Sequence, residues 1–327
     1  MPPTLHVSPF DPDTCEQTSL DQYYALMTAS AAIDRPNDRR GSPEAVIGRM
    51  RTRTPGDGER LHWAASRGNA MAGFMSVSLP PEENSEFGAA EITVHPDFRC
   101  RGTGTALLRV LLSVLRDRGR AGVEGWWIVA DGVGEQWAHR RGFRRTHATV
   151  SQILSLDDMD MAGWAATTPT GYRTVQWVGH TPEDLVASYA LARSAIQDAP
   201  LGDAHYQEPD WTVERIRAAE AEQSEHGIEQ RVVVAVHDDT GTVAGITELA
   251  LYPGQDGVAH QRDTAVLAAH RGHGLGLHLK ACMAEWLHAE HPRIQRIVTS
   301  TGASNSNMIR VNTTLGFVTR KGCPFNG

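Results

Sequence analysis

The chain has 327 residues, of which 40% are hydrophobic and 21% charged, and a net charge of −8, the profile of a globular protein with room for two domains at roughly 150 residues each. That charge excludes the basic field by which proteins hold nucleic acid or an anionic membrane surface. The N-terminal MPPTLHVSPFDPD lacks the charged start and apolar run of a signal peptide, Arg109 interrupts the most apolar stretch (Thr105 to Leu115), and Cys15, Cys100, Cys282 and Cys323 form no CxxC pair, so a cytoplasmic protein without a disulfide framework or a zinc site is expected.

Along the first half of the chain, four segments stand out because each returns later. "AAIDRP", ending at Pro36, returns as "AIQDAP" ending at Pro200. "RMR" at 49 to 51 returns as "RIR" at 215 to 217, and "AGF" at 72 to 74 as "AGI" at 244 to 246. "VHPDFRCRGTGTALL" from Val94 returns as "VLAAHRGHGLGLHL" from Val266, with Arg99, Gly102 and Gly104 each 172 residues before Arg271, Gly274 and Gly276. A period this long marks a duplicated domain. The join is expected near "DDMDMAGWAATTPTG", where charge gives way to small residues, Thr, Pro and Gly; this sets domains at 1–157 and 172–327 with a linker over 158–171.

The second copy opens on "TPEDLVASYALARSAI", with Thr181 as N-cap, Pro182 at the first helical position and Asp184 three after the cap. "RVVVAV", "DDTG" and "TVAGITELAL" read as strand, tight turn, strand. A third strand, "DTAVLAA", runs into the glycine stretch, after which Leu275, Leu279, Met283 and Trp286 recur at helical spacing. "RIVTS" is then a strand, "NSNMIRVNTTL" a helix and "GFVTRKG" a last strand.

Three glycines at 272, 274 and 276 cost stability unless something approaches the backbone too closely for a Cβ. A strand, glycines and then a helix leave unpaired N–H groups at a helix N-terminus, a cradle for phosphate. The spacing excludes the dinucleotide-binding GxGxxG, and the lack of Lys-Ser/Thr excludes a Walker A loop.

"RGHGLG" at 271 to 276 and "RCRGTG" at 99 to 104 resemble the R/Q-x-x-G-x-G/A signature of the Gcn5-related N-acetyltransferases. Val94-His95-Pro96 matches that family's V-x-P, and "NSNMIRVNTTLGF" at 305 to 317 looks like its later N-x-x-A-x-x-x-Y-x-x-x-G-F segment, of which "WAHRRGF" at 137 to 143 keeps the closing Gly-Phe. With the repeat, the chain resembles the tandem, mycothiol-synthase-like type. The resemblance implies an α/β (α+β) fold of two domains, each a mixed, mostly antiparallel central sheet flanked by helices. It implies acetyl-CoA as cofactor, with Val266 and Leu267 holding the acetyl carbonyl and pantetheine arm, and Arg271, Gly272, His273, Gly274, Leu275, Gly276 and Asn305 on the cofactor.

The implied reaction is acetyl transfer, in a ternary complex, to the primary amine of a small molecule such as an amino sugar, an amino acid derivative or a phosphorus-bearing amine. The C-terminal copy is expected to work and the N-terminal copy to be degenerate. Deprotonating the amine needs a base. Glu248 and Asp263, on strands facing the expected cleft, are the candidates, and His260 is a candidate for positioning substrate. Strand alternation puts Asp263 and Ala265 on one face and Thr264 and Val266 on the other. Asn312 stands where the family often carries a tyrosine that protonates the leaving thiolate, and Ala138 stands there in the first copy. Asn312 cannot serve as that acid, which motivates a second reading, a catalytically weak sensor that binds acyl-CoA.

Overall fold

The computed structural model describes residues 4–36, 41–51, 58–157, 168–200, 202–203, 205–255 and 257–320. Most of the expected linker (158–167) and Cys323 lie outside them. Two compact units divide between Arg144 and Arg145. Among the described residues no helix is long and apolar enough to cross a membrane.

The first unit runs β1 (Leu5–Pro9), α1 (Gln17–Asp34), α2 (Pro43–Arg51), β2 (Glu59–Arg67), β3 (Ala70–Leu79), β4 (Phe87–Val94), α3 (Thr103–Asp117), β5 (Gly122–Gly125) and α4 (Val133–His139). Its sheet has the order β1-β2-β3-β4-β5, antiparallel except for the parallel β4–β5 pair. Adjacent residues of β3 face opposite cores, as a period of two requires. Phe74 packs with Leu20, Tyr23 and Leu26 of α1, and Met75 with Leu107, Leu111 and Leu115 of α3.

The second unit contains β6 (Thr149–Ser155), β7 (Tyr172–Val178), α5 (Val186–Ser194), α6 (Val213–Glu225), β8 (Glu229–His237), β9 (Val243–Leu251), β10 (Val258–Val266), α7 (Leu275–Glu290), β11 (Arg296–Gly302), α8 (Ser306–Thr314) and β12 (Val318–Arg320). The sheet order is β12-β6-β11-β10-β9-β8-β7. The repeat assigns residues up to 157 to the first domain. In space, β6 pairs with β11 from Thr149↔Gly302 to Ser155↔Arg296 and with β12 on its other edge, so the compact division falls before it. A strand carries no local mark of the sheet it will join, because its partners are chosen by pairing far along the chain.

The near-continuous apolar run of β8 reflects burial on both faces: Val232, Val234 and Val236 enter the core beneath α5 and α6, and Val233 and Ala235 the core beneath α7. In α7, Leu275, Leu279, Met283 and Leu287 form the buried stripe, each at most 2% exposed. Trp286, expected in that stripe, is partly buried and lies under the Arg231 guanidinium, 4.4 Å from its ring. Helix α5 starts at Val186, later than the Thr181 cap suggests. The Thr181 N–H is donated to Glu220 Oε1 of α6 at 2.8 Å, and Pro182 O accepts the N–H groups of Leu185 and Val186 in a preceding turn.

Lys280 of α7 is 3% exposed, with its ammonium 5.2 Å from the Phe317 ring centre. Burial draws its pKa from 10.5 down to about 7. Between those values the unfolded chain holds the extra proton, so stability rises with pH across that window. Lys280→Met should therefore stabilise the protein by about 2 kcal/mol near neutrality and flatten that rise. Urea unfolding at neutral and alkaline pH checks both.

Candidate active site

An opening in the second sheet defines the site. The registered parallel pairing of β10 with β11 runs from Val258↔Arg296 to His260↔Val298. Beyond it β11 stays with β6 as far as Gly302, while β10 stays with β9 as far as Val266↔Gly245. The strands therefore splay from Gln261 onward. Leu267 donates its N–H to Ala244 O at 2.9 Å. Successive amides of a strand alternate in direction, so the Val266 N–H points away from β9 into the splay. Of the two expected strand contacts, Val266 offers its amide there, and Leu267 spends its own on β9.

A β-bulge at Arg262 and Asp263 shifts the β9–β10 register. The Gln261 side chain spans the interruption, donating to Glu248 O at 2.6 Å and to Thr247 Oγ1 at 2.9 Å. Thr247 and Thr264 hydrogen-bond through their hydroxyls at 2.7 Å. The bulge is thus a satisfied feature of the ladder, after which Ala265 enters the core beneath α5 and Val266 packs against the core beneath α7.

After Val266 the chain makes one 3₁₀ turn, Ala268–His270, and reaches Gly272 and Gly274, with φ of 86° and 78°. Both lie in the left-handed region that glycine adopts freely. Gly274 caps α7, whose first hydrogen bond runs from His278 N–H to Gly274 O at 3.0 Å. The amides of Leu275, Gly276 and Leu277 precede the helical ladder and have no intrahelical acceptor. A Cβ at Gly272, Gly274 or Gly276 would meet no heavy atom within 4 Å. The turn therefore presents bare amides to open space, which fits a bound diphosphate.

The side chains of the motif do other work. Arg271 donates Nε to Val266 O at 3.0 Å and pairs with Asp198. The first unit repeats the device: Arg99 donates to Val94 O at 3.2 Å, to Asp34 at 2.8 and 2.6 Å and to Ser30 Oγ at 3.1 Å. The motif arginine is thus a clamp holding the turn against the strand end. Leu275 is a core residue, 2% exposed, so its contribution to the turn is its backbone. His273 Nδ1 lies 3.2 Å from His270 O and its ring 6.0 Å from that of Tyr172. Asn305 caps α8, accepting the Met308 N–H at 3.1 Å.

The carboxylates divide by environment. Glu248 is fully buried, accepts Tyr189 Oη–H at 2.5 Å and Gln230 Nε2–H at 3.2 Å, and stands 3.1 Å from Arg193 Nε. The Arg193 guanidinium lies 3.5 Å from the centre of the Trp211 ring. Burial raises the Glu248 pKa against the pull of Arg193. Asp263 is half-buried and close enough for its charge to raise Glu248 further. Glu208, in the segment before α6, is also half-buried, and burial followed by the neighbouring Asp263 charge raises it to about 7 against Arg193 and Arg262. At that value Glu208 is poised to gain and lose a proton near neutrality. Sequence reasoning missed it because "HYQEPDW" has no periodicity and no motif.

Two candidates have their polar atoms engaged within the protein. His260 is six residues before Val266, about 20 Å along the strand, where it bonds Gln255 Oε1 at 2.7 Å through Nε2 and packs edge-on to Tyr252. Asn312 is fully buried and donates both amide protons, to Gln152 Oε1 at 2.8 Å and to Thr301 Oγ1 at 3.2 Å. It ties α8 to β6 and β11 and has no donor left for a leaving group. Asn312→Ala should cost about 1–2 kcal/mol of stability in thermal or urea unfolding and change kcat/KM for acetyl transfer by less than threefold.

The profile of the Acetyltransferase (GNAT) family matches residues 34–143 and again 195–317. The chain belongs to the acetyltransferase (GNAT) family. This GNAT protein is 24% identical over 306 residues to a mycothiol acetyltransferase of Kineococcus radiotolerans, covering 91% of this chain and 90% of that one. A mycothiol acetyltransferase of Nocardiopsis dassonvillei is 35% identical over 119 residues, 36% of this chain and 33% of that protein. Among solved structures, a tandem GNAT protein from the clavulanic acid biosynthesis pathway superposes with a TM-score of 0.77 at 26% identity, covering 97% of this chain and 95% of that one. A GCN5-related N-acetyltransferase from Sphaerobacter thermophilus, at 16% identity and a TM-score of 0.72 over 97% and 92% of the two chains, shares the fold. Both glycine turns of this GNAT protein fall inside the matched segments, so the repeat is a tandem of GNAT domains.

Proposed function

We propose that the C-terminal GNAT domain is an acetyl-CoA-dependent N-acetyltransferase acting on the primary amine of a small molecule. The observation that carries this reading is the splay between β10 and β11, which receives the Val266 N–H and ends at the bare amides of 272–276. When bound, acetyl-CoA supplies an acetyl thioester whose thiol is the leaving group.

The chain's own residues do the rest. The amides of the turn hold the diphosphate, with the α7 dipole favouring its charge. The Val266 N–H hydrogen-bonds the acetyl carbonyl and polarises it. Glu208 and Asp263 attract the acceptor as its ammonium ion, and Glu208, held at about 7, takes the proton that frees the amine for attack. Glu248 and Arg193 are their buried support, and His260 and Asn312 take no part in the chemistry. The names of the curated relatives and of the tandem neighbour support a small metabolite as acceptor, and the pair of carboxylates supports a cationic one. The cytoplasmic assignment expected from the sequence is part of the same reading.

The test is to incubate the protein with acetyl-CoA, a panel of primary amines and a thiol reagent. Thiol release that depends on one class of amine supports the reading. Tight acetyl-CoA binding without release across a broad panel would replace it with the sensor reading that Asn312 motivates.

A further inference from the structure

The two glycine turns offer an internal comparison. In the second unit a Cβ at Gly276 would meet nothing within 4 Å. In the first, a Cβ at the matching Gly104 would stand 3.5 Å from Trp137 Cζ2, 3.6 Å from Trp137 Cε2 and 3.5 Å from Val94 Cγ2. Val94 and Gly104 are the repeats of Val266 and Gly276, the strand end and helix start between which the coenzyme arm passes under the proposed function. In the first unit an indole and the Val94 side chain both stand against the helix start.

The indole is fixed there. Trp137 packs into the core formed by Leu107, Leu108 and Leu111. The Arg141 guanidinium lies 5.8 Å from the centre of its ring and donates to Thr105 Oγ1 at 2.7 Å, in the first turn of α3. Aligning the closing Gly-Phe pairs puts Val311 at the position of Trp137, and Val311 packs against the core of α7. The first loop position differs too, with Cys100 at φ 58° where the second turn has Gly272.

The sheet of the first unit keeps the opening. β4 pairs with β5 from Phe87↔Gly122 to Ala90↔Gly125 and continues to Val94, and the His95 N–H is donated to Ala72 O at 3.0 Å just as that of Leu267 is to Ala244. The backbone of the cradle is therefore complete, with open space at Gly102, where a Cβ would meet nothing within 4 Å, and with the Trp137 indole in van der Waals reach of Gly104, where the second unit has nothing.

We infer that the first GNAT unit holds a latent coenzyme A site closed by its own Trp137, so that the chain binds one coenzyme, in the second unit. This inference rests on the coenzyme reading of the second turn. Calorimetry with coenzyme A separates the two. The wild-type chain should take up one equivalent, Gly276→Glu none, Trp137→Ala two, and the double variant Trp137→Ala/Gly276→Glu one. Two equivalents in the wild type, one retained in Gly276→Glu, or a folded Trp137→Ala that takes up only one would each overturn the closure. No uptake by the wild type would overturn the coenzyme reading itself and the inference with it. Near-UV circular dichroism reports whether Trp137→Ala has folded. If it has not, the wild type and Gly276→Glu still decide, because neither alters the first unit.

Discussion

Glu208→Gln should lower kcat/KM for acetyl transfer by about 100- to 1000-fold, the usual worth of a positioned general base, and leave acetyl-CoA affinity within about twofold. The sign of the pH dependence follows from its environment. Burial and Asp263 hold the Glu208 carboxyl at about 7, so the basic form gains population as pH rises through neutrality. kcat/KM should therefore climb along a limb centred near 7, and Glu208→Gln should abolish that limb. Asp263→Asn removes the neighbouring charge that helps to raise Glu208, so the limb should move to lower pH while a base remains. A Glu208→Gln enzyme that kept its rate within threefold and retained the limb would remove Glu208 from the chemistry and return attention to Asp263.

Gly276→Glu should weaken acetyl-CoA binding at least 100-fold. The turn gives up charge-assisted hydrogen bonds from bare amides, each worth roughly 1.5–3 kcal/mol, and a carboxylate would stand against a diphosphate. The fold should not suffer. A Cβ at 276 meets nothing within 4 Å, and the residue lies in the first turn of α7 with no positive φ. Glutamate is a better helix former than glycine, and negative charge near a helix N-terminus is favourable by about 0.3–1 kcal/mol. The melting temperature should hold or rise as affinity collapses, a combination that a merely structural glycine would not produce. Binding within threefold of the wild type would show that the turn does not hold the diphosphate.

The legible part of the site is its backbone. Glycines at 272, 274 and 276 between a strand and an apolar helix announce exposed amides, since bare amides at a helix start are a property of consecutive residues. The "DDTG" hairpin between β8 and β9 was readable for the same reason, with Gly241 at φ 67° supplying the turn. The side chains around the site were not. Arg271 looks like a ligand for an anion in sequence, but Asp198 and the Val266 carbonyl claim it. Glu248 looks like a base on a cleft-facing strand, but it is buried beneath Tyr189 and Arg193. His260 lies at the far end of β10, and the amide of Asn312 is consumed by Gln152 and Thr301. Glu208 lies in a segment with no pattern, and its proton affinity comes from burial by other elements and from a charge on β10.

The sequence by itself determined the duplication, because a repeat is a comparison of the chain with itself, and the two glycine turns with the strand and helix around them, because these depend on residues within a few positions of one another. Tertiary structure alone decided that β6 completes the second sheet, that an indole stands beside Gly104 while nothing stands beside Gly276, and that burial raises the Glu208 carboxyl to about 7. Each of those outcomes is a sum over atoms brought together from distant parts of the chain, and burial and charge act through space.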